Sequence, residues 1–484
     1  MNNSKMKRKN KRIACVMPPY YRLIESKNNR LTPAMHYVAE CLHRLGYEVT
    51  LINGDYSDGT YADRVSMAEN NWLFQKKYME RHSSYDEVID ILKEFAPDFV
   101  FISAGDVLFP TVEIANPDTC FFMAEKIKKE ISPDIVCVGY GSLLKYAQLS
   151  KLDILDVAIT CEAEGLLTDI VENNLRGILD DYWLEDMDEL PILTDTYLNH
   201  KVSSNDWDYI ISMRGCPNRC NFCLQPSLRC GKISMMSAHR FAEEILYRIQ
   251  NFNIYDFYIS DLVFIPEDSK RTNDMLNLFI EIKKKYPNFS WRAEYRVDMI
   301  HNIEFLQKLK KSGCRHIKFG VEMMNEEMLK QMNKGITIPQ IERAFKLTKE
   351  AGISRTAYVL LGCPGFEDKD YQEMWLRFKN LDADNYVVNI SVPYMGTKLY
   401  QMMKEKLSEG GLFLNGEEGY IHVSKVMQTF WKISDETIDM YFQLVGTKED
   451  QLHREYKRKI VDKKIYDQTG KIEYRPACDN NTKC

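Results

Sequence analysis

An alternation of apolar, β-branched segments with amphipathic segments constrains the fold most, and it runs through the chain twice. The first run begins at "RIACVMPP" and continues through "YEVTLIN", "PDFVFISAG", "DIVCVGYGS" and "VAITCEAE". An amphipathic helix is predicted over Pro33–Leu45, between the first two of these strands. Strands that alternate with helices pair in parallel and are covered on both faces. We therefore predict a doubly wound, Rossmann-like α/β domain over residues 11–185.

The second run restarts at "YIISMRG", after an acidic segment that contains Pro191. Helices are predicted over Ser237–Gln250 and Ser269–Tyr286, and strand patterns continue to "NYVVNISVP". The six βα units are fewer than a closed barrel needs, so we predict a partial TIM-like barrel with its active site at the carboxyl ends of the strands. The predicted order is a basic tail (1–10), the Rossmann-like domain (11–185), a linker (186–205), the barrel (206–403) and a C-terminal helical region with a polar tail (404–484). The helical part, about Lys404 to Tyr474, is expected to cap the barrel.

Charge and apolar patterning exclude several classes of protein. The formal net charge of -6 argues against a general nucleic-acid binder. No apolar run approaches the roughly 20 residues needed to span a bilayer, and the basic N-terminus lacks the apolar core of a signal peptide. We expect a cytoplasmic protein that binds neither nucleic acid nor membrane. In that compartment the 13 cysteines stay reduced, so a tight group of them indicates metal or redox chemistry.

Such a group occurs in "MRGCPNRCNFCLQ", directly after the first strand of the second run. Cys216, Cys220 and Cys223 form a C-x3-C-x2-C pattern in one loop. Thiolates hold iron–sulfur clusters, and three of them can hold three irons of a cubane and leave the fourth iron open to a small molecule. The alternative is a zinc site that Cys230 or His239 completes, because structural zinc takes four protein ligands.

This loop, with Phe222 at the aromatic position of C-x3-C-Φ-x-C, resembles the radical S-adenosylmethionine (SAM) superfamily. The resemblance to the class with a vitamin B12 (cobalamin)-binding domain extends through "FYISDLVF", "RAEYRVD", "IKFGVEMMNEEMLKQMNKG" and "LLGCPG". It implies a [4Fe-4S] cluster on the three cysteines. It also implies SAM contacts from residues near the carboxyl ends of successive strands: Phe222, Asp261, Arg296, Glu322, Gly362 and Pro364.

The first half is similar to the cobalamin-binding domain that precedes the barrel in that class. The resemblance implies corrinoid contacts from loops after the first, third, fourth and fifth strands: Pro18, Pro19, Ser103, Ala104, Gly105, Gly139, Tyr140, Gly141, Glu162 and Glu164. Many B12 proteins supply an axial histidine from D-x-H-x-x-G. Here His43 and Gly46 are present, but Cys41 stands where aspartate would be. We therefore expect cobalamin without a histidine ligand.

The implied activity is reductive cleavage of SAM to a 5′-deoxyadenosyl radical, followed by C-methylation of an unactivated carbon. The implied partners are a small-molecule or peptide substrate and a reductant such as flavodoxin or ferredoxin. No catalytic residue is assigned. Two enzymatic alternatives remain: cobalamin used for ring contraction or cyclisation, and a radical SAM enzyme that has lost cobalamin. A non-catalytic iron–sulfur or zinc protein is the alternative from another class.

Overall fold

The computed structural model describes residues 10–24, 29–57, 71–105, 117–146, 152–200, 207–229, 231–264, 269–409, 424–444 and 460–475. Nearly all of the predicted basic tail lies outside the described residues, as do Cys230, Cys478 and Cys484. Among the described residues, no helix combines the length and the apolar character that a bilayer crossing requires.

The first domain is a six-stranded parallel sheet in the order β2-β1-β3-β4-β5-β6. Its strands are β1 (Arg12–Met17), β2 (Glu48–Asn53), β3 (Phe99–Ser103), β4 (Val136–Tyr140), β5 (Val157–Ile159) and β6 (Gly177–Leu179). Its helices are α1 (Pro33–Arg44), α2 (Lys76–Met79), α3 (Ser83–Phe95), α4 (Pro117–Glu130) and α5 (Leu167–Val171). Successive residues of β1 join different cores, since Ile13 and Cys15 belong to one and Ala14 and Val16 to the other. The sheet is covered on both faces, which confirms the predicted doubly wound domain.

The second domain contains six parallel strands in the order β14-β13-β12-β11-β10-β7. These strands are β7 (Tyr209–Ile210), β10 (Asp256–Ile259), β11 (Ser290–Tyr295), β12 (Cys314–Glu322), β13 (Ser354–Leu361) and β14 (Asn385–Ile390). A separate hairpin pairs β8 (Met213–Arg214) with β9 (Ser234–Met235). The helices are α6 (Gln225–Arg229), α7 (Ala238–Phe252), α8 (Lys270–Lys285), α9 (Ile303–Lys311), α10 (Glu326–Gln331), α11 (Ile338–Glu350), α12 (Asp368–Asn380) and α13 (Lys398–Glu409). Strands paired in chain order make the predicted partial barrel.

Capping residues fix where the predicted helices begin. The Ser237 hydroxyl accepts a hydrogen bond from Arg240 N at 3.2 Å, and the Ser269 hydroxyl accepts one from Thr272 N at 3.0 Å. Each serine satisfies a backbone N–H that the first helical turn leaves without a partner. Both residues therefore precede their helices as caps, and the predicted helices over Ser237–Gln250 and Ser269–Tyr286 agree with α7 and α8 to within two residues.

The segment predicted as a linker packs against the first domain. Leu51 N donates to Tyr197 O at 2.8 Å, and Asn199 N donates to Leu51 O at 3.2 Å, so this segment extends the edge of β2. The Tyr197 hydroxyl also donates to the buried Glu40 carboxylate at 2.9 Å. Backbone and side chain thus hold the later part of the segment on the first domain. Its earlier part contacts the second domain, where Asp186 forms a bridge with Met235 and Leu190 O accepts from Arg240 at 3.0 Å.

The C-terminal region divides between the two domains. Two of its helices, α14 (Ser424–Phe430) and α15 (Asp435–Phe442), lie on the barrel, where Trp431 Nε1 donates to Ser391 O at 2.7 Å. The hairpin β15 (Ile460–Val461) with β16 (Tyr474–Arg475) and helix α16 (Lys463–Thr469) return instead to the first domain. Tyr466 joins the core on one face of the first sheet, and the Tyr78 hydroxyl donates to Asp467 at 2.8 Å. The expectation that the whole region caps the barrel is therefore wrong for its last described part.

Candidate cofactor site

The three cysteines lie on the loop between β8 and α6, which we call the cysteine loop (residues 215–224). All three are free thiols, and Asn218 Nδ2 donates to Cys216 Sγ at 3.4 Å. Burial raises the pKa of Cys220 and raises the pKa of Cys223 to about 12. Neighbouring thiols add to both increases. A buried thiolate needs a cation beside it, and a coordinated metal deprotonates the thiol outright. The three thiols therefore fit an iron–sulfur cluster as donors. Among the described residues, no three His, Cys, Asp or Glu side chains converge on a position for one metal ion.

Hydrogen bonds from two neighbouring segments hold the cysteine loop. Asn221 N donates to Met332 O at 2.9 Å, and its side-chain amide donates to Gln331 O at 2.9 Å. Asn333 Nδ2 donates to Arg219 O at 2.7 Å, and Leu399 N donates to Asn221 O at 2.8 Å. The end of α10, the residues after it and the start of α13 thus hold the backbone of the loop between Cys216 and Cys223.

Lys334, Glu322 and Phe222 meet beside the cysteine loop. Lys334 Nζ donates to Glu322 Oε1 at 2.9 Å and lies 5.8 Å from the centre of the Phe222 ring. Glu322 ends β12 with φ of +67°, a left-handed conformation that is unusual for a residue with a side chain. Gly320 leaves space for the pair, since a Cβ there would lie 2.8 Å from Lys334 Nζ. Backbone strain of this kind is concentrated at functional sites.

Arg296 reaches the same place from β11. Its guanidinium donates to both carboxylate oxygens of Asp298 at 3.0 Å and to Lys334 O at 2.9 Å. Lys334, Arg296 and Glu322 all influence the titration of Cys220. The structure therefore brings two predicted SAM contacts, Arg296 and Glu322, together with Phe222 and the cluster thiols. Their contact with SAM stays a prediction.

Asp261, a third predicted SAM contact, supports the strand in front of the cysteine loop. It is buried, and its carboxylate accepts hydrogen bonds from Ser212 N at 2.7 Å, from the Ser212 hydroxyl and from Met213 N at 3.0 Å. Burial raises the pKa of Asp261 to about 6, although these donors act in the opposite direction. The structure thus gives both of its oxygens a structural role.

The predicted contacts Gly362 and Pro364 follow β13. Gly362 has φ of +95°, and a Cβ there would lie 2.6 Å from the indole of Trp431. Cys363, between them, is buried, and its N–H donates to the Tyr371 hydroxyl at 2.8 Å. Gly362 therefore allows α14 to approach this loop, while Pro364 is half-buried beside it.

Three of the predicted corrinoid loops lie together at the carboxyl edge of the first sheet. Ala104 N donates to Tyr140 O at 2.8 Å, and a Cβ on Gly141 would lie 2.5 Å from Gly105 O. At the end of β4 the buried Ser142 hydroxyl has no hydrogen-bond partner among the described residues. A buried orphan hydroxyl is expected where a polar ligand or a water belongs, so this edge fits a polar ligand. The other predicted residues there, Pro18, Pro19, Ser103 and Gly139, are also buried.

Glu162 and Glu164, the remaining predicted corrinoid contacts, form ion pairs with the second domain. Arg214, two residues before Cys216, lies 3.1 Å from Glu162 Oε2 and donates to Glu164 Oε1 at 2.7 Å. Arg229, at the end of α6, lies 3.3 Å from Glu162 Oε1. All four side chains are at most 5% exposed. We call these four residues the domain bridge; the sequence did not predict it.

The charges of the domain bridge balance, and its side chains are buried. Glu164 Oε2, Arg214 Nε and Arg229 Nε have no hydrogen-bond partner among the described residues, so there is room for water or ligand atoms beside the ion pairs. Burial lowers the pKa of Arg214, but Glu164 and Glu162 outweigh that effect and hold it well above its usual value. Burial lowers the pKa of Arg229, and Glu162 only partly offsets this. An aromatic ring lies beside each guanidinium group: the ring of Tyr37 is 5.4 Å from that of Arg214, and the ring of Trp183 is 5.4 Å from that of Arg229. The bridge thus fixes the cysteine loop to the loop after β5.

Comparison with known proteins agrees with this architecture. Residues 210–375 match the family described as the radical SAM superfamily. An uncharacterized methyltransferase of Pyrococcus horikoshii is 25% identical over 350 residues, which cover 66% of this chain and 72% of that protein. The structure of the radical SAM methyltransferase TsrM from Kitasatospora setae has a TM-score of 0.60 at 16% identity, over 82% of this chain and 77% of that one. The structure of the cobalamin-dependent SAM radical enzyme OxsB has a TM-score of 0.61 at 14% identity, over 92% of this chain and 70% of that one.

Fold and site together define an enzyme with two α/β domains, in which a loop with three cysteines opens the second. Residues 210–375 are a radical SAM domain, and the chain shares its two-domain fold with TsrM and OxsB. Its cofactors accordingly include a [4Fe-4S] cluster and SAM.

Proposed function

We propose that the chain is a cobalamin-dependent radical SAM methyltransferase that methylates an unactivated carbon. The observation that carries the proposal is the domain bridge, because it fixes the cluster-binding loop to the loop after β5. That loop lies at the same edge of the first sheet as the loops that would hold a corrinoid. Methyl transfer to a substrate radical needs both cofactors at one chamber in a constant relative position. The methyltransferase name of the Pyrococcus relative and the cobalamin dependence of OxsB support the same assignment.

Each part of the site has a proposed role. Cys216, Cys220 and Cys223 would hold the cluster, and Arg296, Glu322 and Lys334 would orient the charged end of SAM. The loops at Pro18–Pro19, Ser103–Gly105 and Gly139–Gly141 would hold cobalamin at the edge of the first sheet. Bound together, these cofactors supply a radical that activates a C–H bond and a methyl group for the resulting carbon. A one-electron donor such as flavodoxin or ferredoxin is the proposed reductant, and a small molecule or a peptide the proposed substrate.

The test needs no known substrate. Anaerobically reconstituted protein is incubated with hydroxocobalamin, SAM and titanium(III) citrate, and the products are separated by liquid chromatography. The proposal predicts that the corrinoid stays with the protein through gel filtration. It also predicts that the reduced corrinoid takes the methyl group of SAM, which leaves S-adenosylhomocysteine, while cluster-dependent cleavage gives 5′-deoxyadenosine separately.

A matched variant separates the two reactions. Cys220→Ala should lose iron and 5′-deoxyadenosine but keep corrinoid and S-adenosylhomocysteine, because the missing thiolate serves only the cluster. Deoxyadenosine without S-adenosylhomocysteine would favour cyclisation or ring contraction. Failure to retain any corrinoid would favour an enzyme that has lost cobalamin, and one zinc with no iron would identify a non-catalytic metal protein.

A further inference from the structure

The inner face of the barrel sheet differs from the face that the helices cover. Along β11 half-buried and fully buried residues alternate strictly, and β12 follows the same pattern from His316 to Glu322. The fully buried set is apolar: Trp291, Ala293, Tyr295, Ile317, Phe319 and Val321. Since side chains alternate across a strand, the half-buried set faces the lumen. That set is polar, apart from Gly320, and partly accessible, so solvent or a ligand can reach the lumen face.

Four lumen residues form one hydrogen-bonded group in the middle of the sheet, which we call the lumen cluster: Tyr258, Glu294, Lys318 and Tyr358. The hydroxyls of Tyr258 and Tyr358 both donate to Glu294 Oε1, the latter at 2.9 Å. Lys318 Nζ donates to the Tyr258 hydroxyl at 3.2 Å and lies 4.2 Å from the centre of that ring. Within the described part of the chain, these are all the hydrogen bonds that Lys318 Nζ makes. An ammonium group has three donors, so two of them are left for a ligand.

The lumen cluster lies next to the cofactor site. Glu294 lies two residues before Arg296, which directly follows β11. Glu322 at the end of β12 pairs with Val359, the neighbour of Tyr358 in the lumen cluster. The four residues from Lys318 to Glu322 span about 13 Å of strand. A small molecule of about that length bound to Lys318 would thus reach the residues proposed to hold SAM.

Charges around the lumen favour an anion. Three arginines line its lower end: Arg292 donates to Asp208 and Asp256, Arg315 donates to Asp256, and Arg30 from the first domain lies 3.6 Å from Asp208. With Lys318 and Glu294 included, four cations face three carboxylates, which leaves an excess of one positive charge. Burial lowers the pKa of Lys318, and Arg292 and Arg30 lower it further, whereas Glu294 and Asp208 raise it. An anion beside Lys318 would relieve the repulsion among these cations.

We propose that the substrate is a small molecule with an anionic group, a carboxylate or a phosphate, and that Lys318 binds that group. The inference rests on the proposed function only in taking the lumen as the substrate chamber. Glu294 orients Lys318 through Tyr258 and disfavours anions elsewhere in the lumen cluster. The remaining part of the substrate points upward, towards Arg296 and Glu322.

The test measures binding with simple probes, with the cluster and SAM present and no reductant. Benzoate and phenyl phosphate are the carboxylate and phosphate probes, and benzamide is the neutral control of the same shape as benzoate. By isothermal titration calorimetry, at least one anion should bind about tenfold or more tightly than benzamide, as expected for a charged hydrogen bond. Lys318→Met should abolish that difference, and Lys318→Arg should keep it.

A second variant guards against a misfolded protein. Glu294→Gln keeps the size and both hydrogen bonds of the side chain but removes its negative charge, so it should tighten anion binding. Equal affinity for benzoate, phenyl phosphate and benzamide, anion affinity that survives Lys318→Met, or binding of no probe would each overturn the proposal. Because no turnover is involved, these outcomes are independent of whether S-adenosylhomocysteine and 5′-deoxyadenosine are formed.

Discussion

Replacement of Arg214 by methionine tests the domain bridge. Methionine has a similar length but no charge, so Arg214→Met leaves Glu164 without its cation and Glu162 with Arg229 alone. Removal of one partner from a buried ion pair costs about 3 to 5 kcal/mol, because the remaining charge stays out of water. Since Arg214 lies two residues before Cys216, we also expect the cysteine loop to loosen and to lose iron faster to a chelator.

Urea unfolding followed by circular dichroism measures the first effect, and iron release to bathophenanthroline measures the second. Arg355→Met is the matched control, because Arg355 is 4% exposed but its partner Asp384 is 44% exposed and can be solvated. That variant should lose about 1 kcal/mol and keep its iron. Arg214→Met/Glu164→Gln should recover part of the lost stability, since it removes one of the two stranded charges. Equal losses in Arg214→Met and Arg355→Met, with normal iron retention in both, would refute the reasoning.

Two further predictions concern the cofactor loops. Glu322→Ala should weaken SAM binding by about 2 to 5 kcal/mol while the cluster spectrum stays intact. Gly320→Ala should also weaken SAM binding, since the added Cβ would lie 2.8 Å from Lys334 Nζ. Normal SAM affinity in both variants, measured by calorimetry, would contradict the role of Glu322 and Lys334. Asp55 accepts from Tyr20 N at 2.7 Å, and burial raises its pKa from about 3.9 to about 7. The folded state therefore binds the proton more tightly, so the free energy of unfolding should fall as pH rises from about 4 to about 7, and Asp55→Asn should flatten that slope.

Local pattern was sufficient to predict most of the architecture. Ser237 and Ser269 mark helix starts because a hydroxyl before an apolar period caps the first turn, and this information lies within four residues. The cysteine spacing is equally local. The apolar runs predicted both sheets for a similar reason, since strands covered on both faces must be apolar along their whole length.

Long-range partners could not be predicted in the same way. Glu162 and Glu164 follow a strand at the expected edge, which made them candidates for a ligand, but their partner Arg214 is 50 residues away from Glu164. Nothing local distinguishes a carboxylate that meets a cofactor from one that meets an arginine of another domain. The same limit applies to Tyr466, whose apolar ring belongs to the core of the first domain although the chain reaches it after the barrel.

The apolar core and the domain bridge make different contributions to the position of the cysteine loop. One apolar core runs from Ile13 and Tyr37 of the first domain to Trp291 and Tyr441 of the second, and it supplies most of the attraction between the domains. Apolar contacts are non-directional, so that core tolerates small rotations of one domain on the other. The four buried charges do not tolerate such rotations, because a shift of about 1 Å would leave a guanidinium or a carboxylate without a partner. The bridge thus restricts the domains to one orientation, and it does so beside Cys216, where a change in orientation would alter the distance between the cluster and the edge of the first sheet.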